Sequence, residues 1–150
     1  MTKELSIENI KKELIDKISN NEEVLEIFRK HEYSKDEGKC LREYGDSFIK
    51  ENYIFNHEIS YLADFISVEV DENEHYVCER SGYETWYVVT IAMTLTNASE
   101  LDRLSMLLRS IVTELYPNKC DYSNIASLIK IRGGFGDFIQ PIRKIMFTIR

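Results

Sequence analysis

The sequence predicts an α+β fold: a mostly antiparallel sheet with a long hairpin, an N-terminal helix and one central helix packed on the sheet. Three observations carry this. Leu101, Leu104, Leu107, Leu108, Ile111, Val112 and Leu115 recur in one apolar stripe at helical spacing. Residues 65–70 and 84–96 alternate with the period of two that marks a strand. The order is helices, two strands, a helix and two strands, and each strand pair is joined by a stretch that suits antiparallel pairing. With only two prolines and six glycines, and no linker-like tract or internal repeat, residues 1–150 read as a single domain.

The first thirty residues predict two helices. Ile7, Ile10, Leu14, Ile15 and Ile18 follow Ser6, a natural N-cap. Ser19-Asn20-Asn21 interrupts the pattern. Residues 22–30 resume it with Val24, Leu25 and Phe28 on one face. Glu22 and Glu23 open this second helix and Arg29 and Lys30 close it, as the helix dipole favours. Residues 31–60 are polar and weakly periodic. They predict a long excursion with a helical turn near 41–44, and excursions of that length often carry contacts.

In residues 65–70, Ile66, Val68 and Val70 share one face and Phe65, Ser67 and Glu69 the other. Residues 71–82 read as an acidic connection at the hairpin tip. In 84–96, Trp86, Val88, Thr90, Ala92 and Thr94 point one way, and Tyr87, Val89, Ile91, Met93 and Leu95 the other. A strand apolar on both faces must be covered on both. Either the two helices suffice or another subunit completes the cover, which is a hint of oligomerisation. Ser99-Glu100-Leu101-Asp102 resembles a capping box with Asp in place of the usual Glu, and Pro117 stops the helix. After a loop at 118–124, residues 127–132 predict a strand, Gly133-Gly134-Phe135-Gly136 a turn, and 142–150 a final strand with Ile145, Phe147 and Ile149 inward.

The formal net charge is −7, and it is unevenly spread. Residues 61–127 hold eleven acids and four bases, whereas 128–150 hold five bases (Lys130, Arg132, Arg143, Lys144, Arg150) and one acid, Asp137. An acidic body repels phosphate and argues against a general grip on nucleic acid. Cys40, Cys78 and Cys120 are odd in number, widely spaced and outside any C-x-x-C pair. With no signal-peptide pattern, they predict free thiols in a reducing cytoplasm. No apolar run approaches the ~20 residues that span a bilayer.

Chemistry-bearing motifs are sparse. His75-x-x-Cys78 supplies two zinc ligands where more are needed. Glu69 and Asp71-Glu72-Asn73-Glu74 offer oxygens to a divalent cation but lack the central Gly of an EF-hand loop. The Gly133–Gly136 run lacks the Lys and Ser/Thr of a P-loop and the spacing of a dinucleotide loop. No nucleophile signature such as G-x-S-x-G occurs. The sequence predicts no catalytic residue, metal or cofactor, and reads as an assembly or binding protein rather than an enzyme. The candidate interface residues are Glu69, Asp71, Glu72 and Trp86 on the acidic strand pair, and Arg143 and Lys144 on the basic end. Opposite charges there suit contact between neighbouring copies.

Asn52-Tyr53-Ile54-Phe55, the strands at 65–70 and 87–96, the helix at 101–116 and the closing strand at 145–149 follow an order that resembles tailed-phage neck and tail-completion proteins, the tail terminators and head–tail joining proteins. Asn56-His57 stands where such relatives often carry proline. The resemblance spans roughly residues 7–150 as a pattern of elements rather than of signature residues. It implies a virion component, assembled in the bacterial host cytoplasm as a ring, commonly a hexamer. Its partners would be the tail tube and the head connector, and DNA would pass through an acidic lumen without specific binding. The composition also suits a small acidic cytoplasmic module, such as an immunity or regulatory protein, that binds a basic partner.

Overall fold

The computed structural model describes residues 5–31, 38–59, 62–80, 82–117, 123–133 and 136–149. Helices α1 (Ile7–Ser19) and α2 (Glu22–Arg29) are followed by a 3-10 turn (Leu41–Tyr44), α3 (Asp46–Tyr53) and β1 (Ile54–Phe55). Then come β2 (Phe65–Cys78), β3 (Gly82–Thr94), α4 (Ala98–Leu115), β4 (Ser123–Gly133) and β5 (Gly136–Ile149). The five strands form one sheet in the order β1-β2-β3-β5-β4. Only the short β1–β2 pair is parallel; the other pairs are antiparallel. The α+β class and the mostly antiparallel sheet match expectation.

One large core unites the helices and one sheet face. Ile10, Leu14 and Ile18 of α1, Val24, Leu25, Ile27 and Phe28 of α2, and Leu101, Leu104, Leu108, Ile111 and Val112 of α4 join Ile66, Val68, Val89, Ile91, Met93, Ile145 and Phe147. The strand contributors sit two apart, so a single face of the sheet supplies them. The other face carries a smaller cluster of Ile59, Phe65, Ala92 and Ile142, with Phe55, Leu62 and Ile129 against it. The chain between β1 and β2 therefore covers part of the second face, a solution neither helix provides.

Local chemistry sets the helix ends. The Ser6 side chain accepts from Asn9 N, and Asn21 caps α2 by accepting from Val24 N. At α4 the expectation needs correction. The N-cap is Asn97, whose side chain accepts from Ser99 N, and the helix opens at Ala98. Asp102 reaches Arg143 instead of closing a capping box. The Asn–Ser contact satisfies an early amide before the Ser99 hydroxyl can serve as the cap.

The excursion at 31–60 is also corrected. The turn at Leu41–Tyr44 stands as expected, but α3 and β1 follow it. Gly45, at φ 89°, sets the chain direction into α3. Arg29 of α2 then clamps Asp46 at the start of α3: Nε donates to Oδ1 at 2.9 Å and Nη2 to Oδ2 at 2.8 Å. Its Nη1 also reaches Glu26 Oε2 at 3.1 Å, and Arg42 pairs with Glu26. The Arg29 guanidinium holds the Glu26 and Asp46 carboxyls below the usual carboxylate range, with Arg42 contributing at Glu26.

The strands are longer than expected. Residues 71–78 are not a connection: they continue β2, paired with β3 as far as Cys78↔Gly82. β4 begins at Ser123 and β5 at Gly136, where residues 123–124 were expected in a loop and 136–141 before the last strand. Gly133 and Gly136 face each other across the turn, and Gly134 and Phe135 lie outside the described residues. Residues 71–78 of β2 and 123–124 of β4 are paired strand with largely exposed side chains, so the apolar alternation that announces a strand is missing from them.

Candidate functional site

The register of β3 with β5 runs only from Tyr87↔Ile149 to Thr94↔Ile142. β2 and β3 continue beyond one end of that block, from Asn73↔Trp86 to Cys78↔Gly82. β4 and β5 continue beyond the opposite end, from Leu128↔Pro141 to Gly133↔Gly136. Each overhang is a two-stranded ribbon about 20 Å long, from six residues at roughly 3.3 Å each.

Both ribbons expose large apolar side chains. Tyr76 is 58% and Tyr83 67% exposed on the first, and Leu128 67% and Ile139 66% exposed on the second. The alternation of each strand puts all four on the sheet face that the helices cover elsewhere. Tyr76 follows Val70 by an even step and Tyr83 precedes Tyr87 by one; Ile139 precedes Ile145 by an even step, and Leu128 pairs with Pro141. The Tyr76 and Tyr83 rings meet edge-on at 5.5 Å. Glu74 shares their face on the first ribbon, with Glu72 at its root, and Lys130 shares the face of Ile139 on the second, all exposed.

The second ribbon is anchored at its root. The buried Gln140 side chain donates through Nε2 to Ala63 O and, at 2.6 Å, to Thr94 Oγ1. The fully buried Thr94 hydroxyl donates in turn to Pro141 O at 2.6 Å. These bonds join the ribbon to the end of β3 and to the chain before β2, which a flexible overhang would not do.

The interface residues expected from sequence fall in several places. Glu69 and Lys144 come together within one chain, lining a pocket of about 80 Å³ on the second sheet face with Glu58, Ser67 and Thr90. Asp71 and Glu72 are exposed where the first ribbon leaves the sheet. Trp86 stacks on His75 at 3.7 Å, and its Nε1 donates to Glu84. Arg143 and Lys144 are neighbours in β5 and so face opposite ways; Arg143 turns to Asp102 of α4 at 3.5 Å. The residues that sequence reading missed are Tyr76, Tyr83, Leu128 and Ile139. Tyr76 and Tyr83 stand in a largely polar stretch, whereas Leu128 and Ile139 neighbour other apolar residues and read as ordinary strand positions, so register rather than sequence sets them apart.

Two further features have a chemical aspect. His31 Nδ1 lies 3.3 Å from Asp64 Oδ1, beside a cavity of about 420 Å³ lined by Ile27, Lys30, Thr96, Asn97 and Glu100. Asp64 accepts from Thr96 N at 2.8 Å and from Thr96 Oγ1 at 2.9 Å. A carboxylate-oriented imidazole is one component of a general base. Here the neighbouring hydroxyl is engaged with Asp64 rather than His31, so the trio ties three segments together at the start of α4. A groove of about 730 Å³ between α1 and α4 is lined by mixed charges, including Lys12, Glu13, Asp16 and Glu114. Among the described residues no three or more His, Cys, Asp or Glu side chains are grouped to hold a metal ion. Nor is any helix there long and apolar enough to cross a membrane.

Fold and surfaces together define an α+β protein whose sheet extends past its helical layer at both ends. No family model matches the chain, no curated protein matches it, and no solved structure matches it.

Proposed function

We propose that this chain is a structural assembly protein of the tailed-phage neck or tail end: a tail terminator or neck component that closes into a ring, commonly of six copies. One observation carries the reading: ribbons project from opposite ends of the sheet, each exposing large apolar side chains beyond the helices. Apolar groups displayed this way on ordered strands suit docking of protein on protein. A contact using two different patches on one molecule repeats from copy to copy and closes into a ring when the rotation allows.

In this reading the long hairpin is a docking arm, and the helices that back the sheet hold it rigid. The work is interface complementarity, not bond making. Neighbouring tube and connector proteins are the partners, and the net charge of −7 suits a lumen through which DNA passes without sticking. Negative-stain microscopy of the concentrated protein tests the proposal. Closed rings with a hollow centre support it; compact two-fold dimers rule it out.

The acidic first ribbon, with Glu74, Glu79 and Glu84 against Arg80 and with Asp71 and Glu72 at its root, favours a second reading as a small module for a basic partner. Such a module would stay a single copy in the same images.

A further inference from the structure

We infer that the β2–β3 ribbon of one copy docks on the β4–β5 ribbon of the next, head to tail, through Tyr76, Tyr83 and Glu74 on one side and Leu128, Ile139 and Lys130 on the other. The inference rests on the ring reading and names its contact.

Four features on the molecule converge. The ribbons leave opposite ends of one sheet, so they cannot meet within a chain, whereas two copies placed end to end bring them together. They overhang by equal lengths. Each presents two exposed apolar side chains, on the face that α1, α2 and α4 cover in the middle of the sheet. The helical layer ends before either patch, so the surface that would cover one must come from another molecule. Charge then selects the occupant. Residues 73–86 carry three acids (Glu74, Glu79, Glu84) and one base (Arg80), while 128–141 carry two bases (Lys130, Arg132) and one acid (Asp137). Two acidic ribbons repel each other. An acidic ribbon against a basic one is the favourable pairing, and the same chain supplies both.

The contact is therefore heterologous: each copy keeps one patch of either kind for its neighbours, and growth stops only by closure. A symmetric two-fold dimer is disfavoured because it would set like charges against each other.

Two variants isolate the patches: Tyr76→Ser with Tyr83→Ser on the first ribbon, and Leu128→Ser with Ile139→Ser on the second. All four positions are exposed, so both proteins are expected to keep the wild-type circular dichroism and melting temperature. Each variant alone should run as a single copy in sedimentation velocity. Mixed in equal amounts, they should form two-copy complexes and nothing larger, because one working patch of each kind remains. If either variant alone forms dimers, or both assemble as the wild type does, the ribbon contact is wrong and the ring reading survives on other surfaces. If wild-type protein stays a single copy at the highest attainable concentration, both ideas fall. Should a variant fail to fold, the charge pair gives an independent test. Glu74→Lys and Lys130→Glu should each weaken assembly at least several-fold, and the two together should restore it. Equal weakening in the double variant overturns the proposed pairing.

Discussion

Replacing Gln140 with Leu tests the anchor of the second ribbon. Gln140 is 6% exposed and Thr94 is 0% exposed, so both sit out of reach of water. Leucine fills a similar volume but removes both donated hydrogen bonds. Thr94 keeps its bond to Pro141 O, whereas Ala63 O loses the Gln140 donor. A buried acceptor left without its donor costs about 1–3 kcal/mol; Thr94 Oγ1 is buried and Ala63 O partly so, and the apolar gain of Leu offsets part of the cost. A net loss of about 2 kcal/mol corresponds to a fall of about 4–8 °C in Tm for a chain of this size. Thr94→Val breaks the network from the other side. The double variant should be destabilised by less than the sum of the singles, by about 0.5 kcal/mol or more, since both act on one set of bonds. Urea unfolding measures the three stabilities, and hydrogen exchange should show faster opening of residues 128–141 in each variant. Additive losses, or a Gln140→Leu protein as stable as wild type with unchanged exchange, would refute the view that these bonds hold the ribbon.

Three more outcomes follow from the core and the turns. Phe147→Ala, at a position 1% exposed where the ring lies 5.9 Å from Tyr116, should cost about 3–5 kcal/mol in urea unfolding. Gly82→Ala meets no atom within 4 Å, yet its φ of +66° strains an alanine; a loss of about 1–2 kcal/mol is expected, with Gly82→Asn milder. The Arg29 clamp sets a pH dependence. Its carboxyls, Glu26 and Asp46, have folded-state pKa values below their ordinary 4.5 and 3.8, so their contribution is complete above those unfolded values and is lost as pH falls through the folded ones. Thermal melts below about pH 4.5 should therefore fall more steeply for wild type than for Arg29→Met, and parallel curves would contradict the clamp.

The chain shows in its residues whatever repeats. The stripes of α1 and α4 and the alternation around Ile66–Val70 and Tyr87–Met93 are periodic apolar patterns, and the structure has elements at each. The helix α3 escaped because only Phe48, Ile49 and Tyr53 of its eight residues carry large apolar groups, and just Ile49 is fully buried. It is held instead by Arg29, seventeen residues from Asp46, a pairing that no local window contains. The first ribbon escaped because residues 71–78, largely exposed, lack the apolar alternation of a core strand.

The candidate site was legible only in part. Charge asymmetry between the acidic first ribbon and the basic end is a property of the sequence. Which of those charges share a face is a property of register. Arg143 and Lys144 stand on opposite sides of β5, and only strand pairing places Lys130 beside Ile139 and Glu74 near Tyr83. The Gln140–Thr94 bonds join residues 46 apart in sequence, and the cover of Phe65 by Ile59 and Leu62 turns on how a polar loop folds back.

Self-association through opposed ribbons has a direct measure in light scattering, across a concentration series at low and high salt. The account predicts a mass that rises with concentration towards a fixed multiple of one chain and falls as salt screens the acidic and basic ribbons. A single-copy mass at every concentration in low salt would contradict it, as would an assembly indifferent to salt.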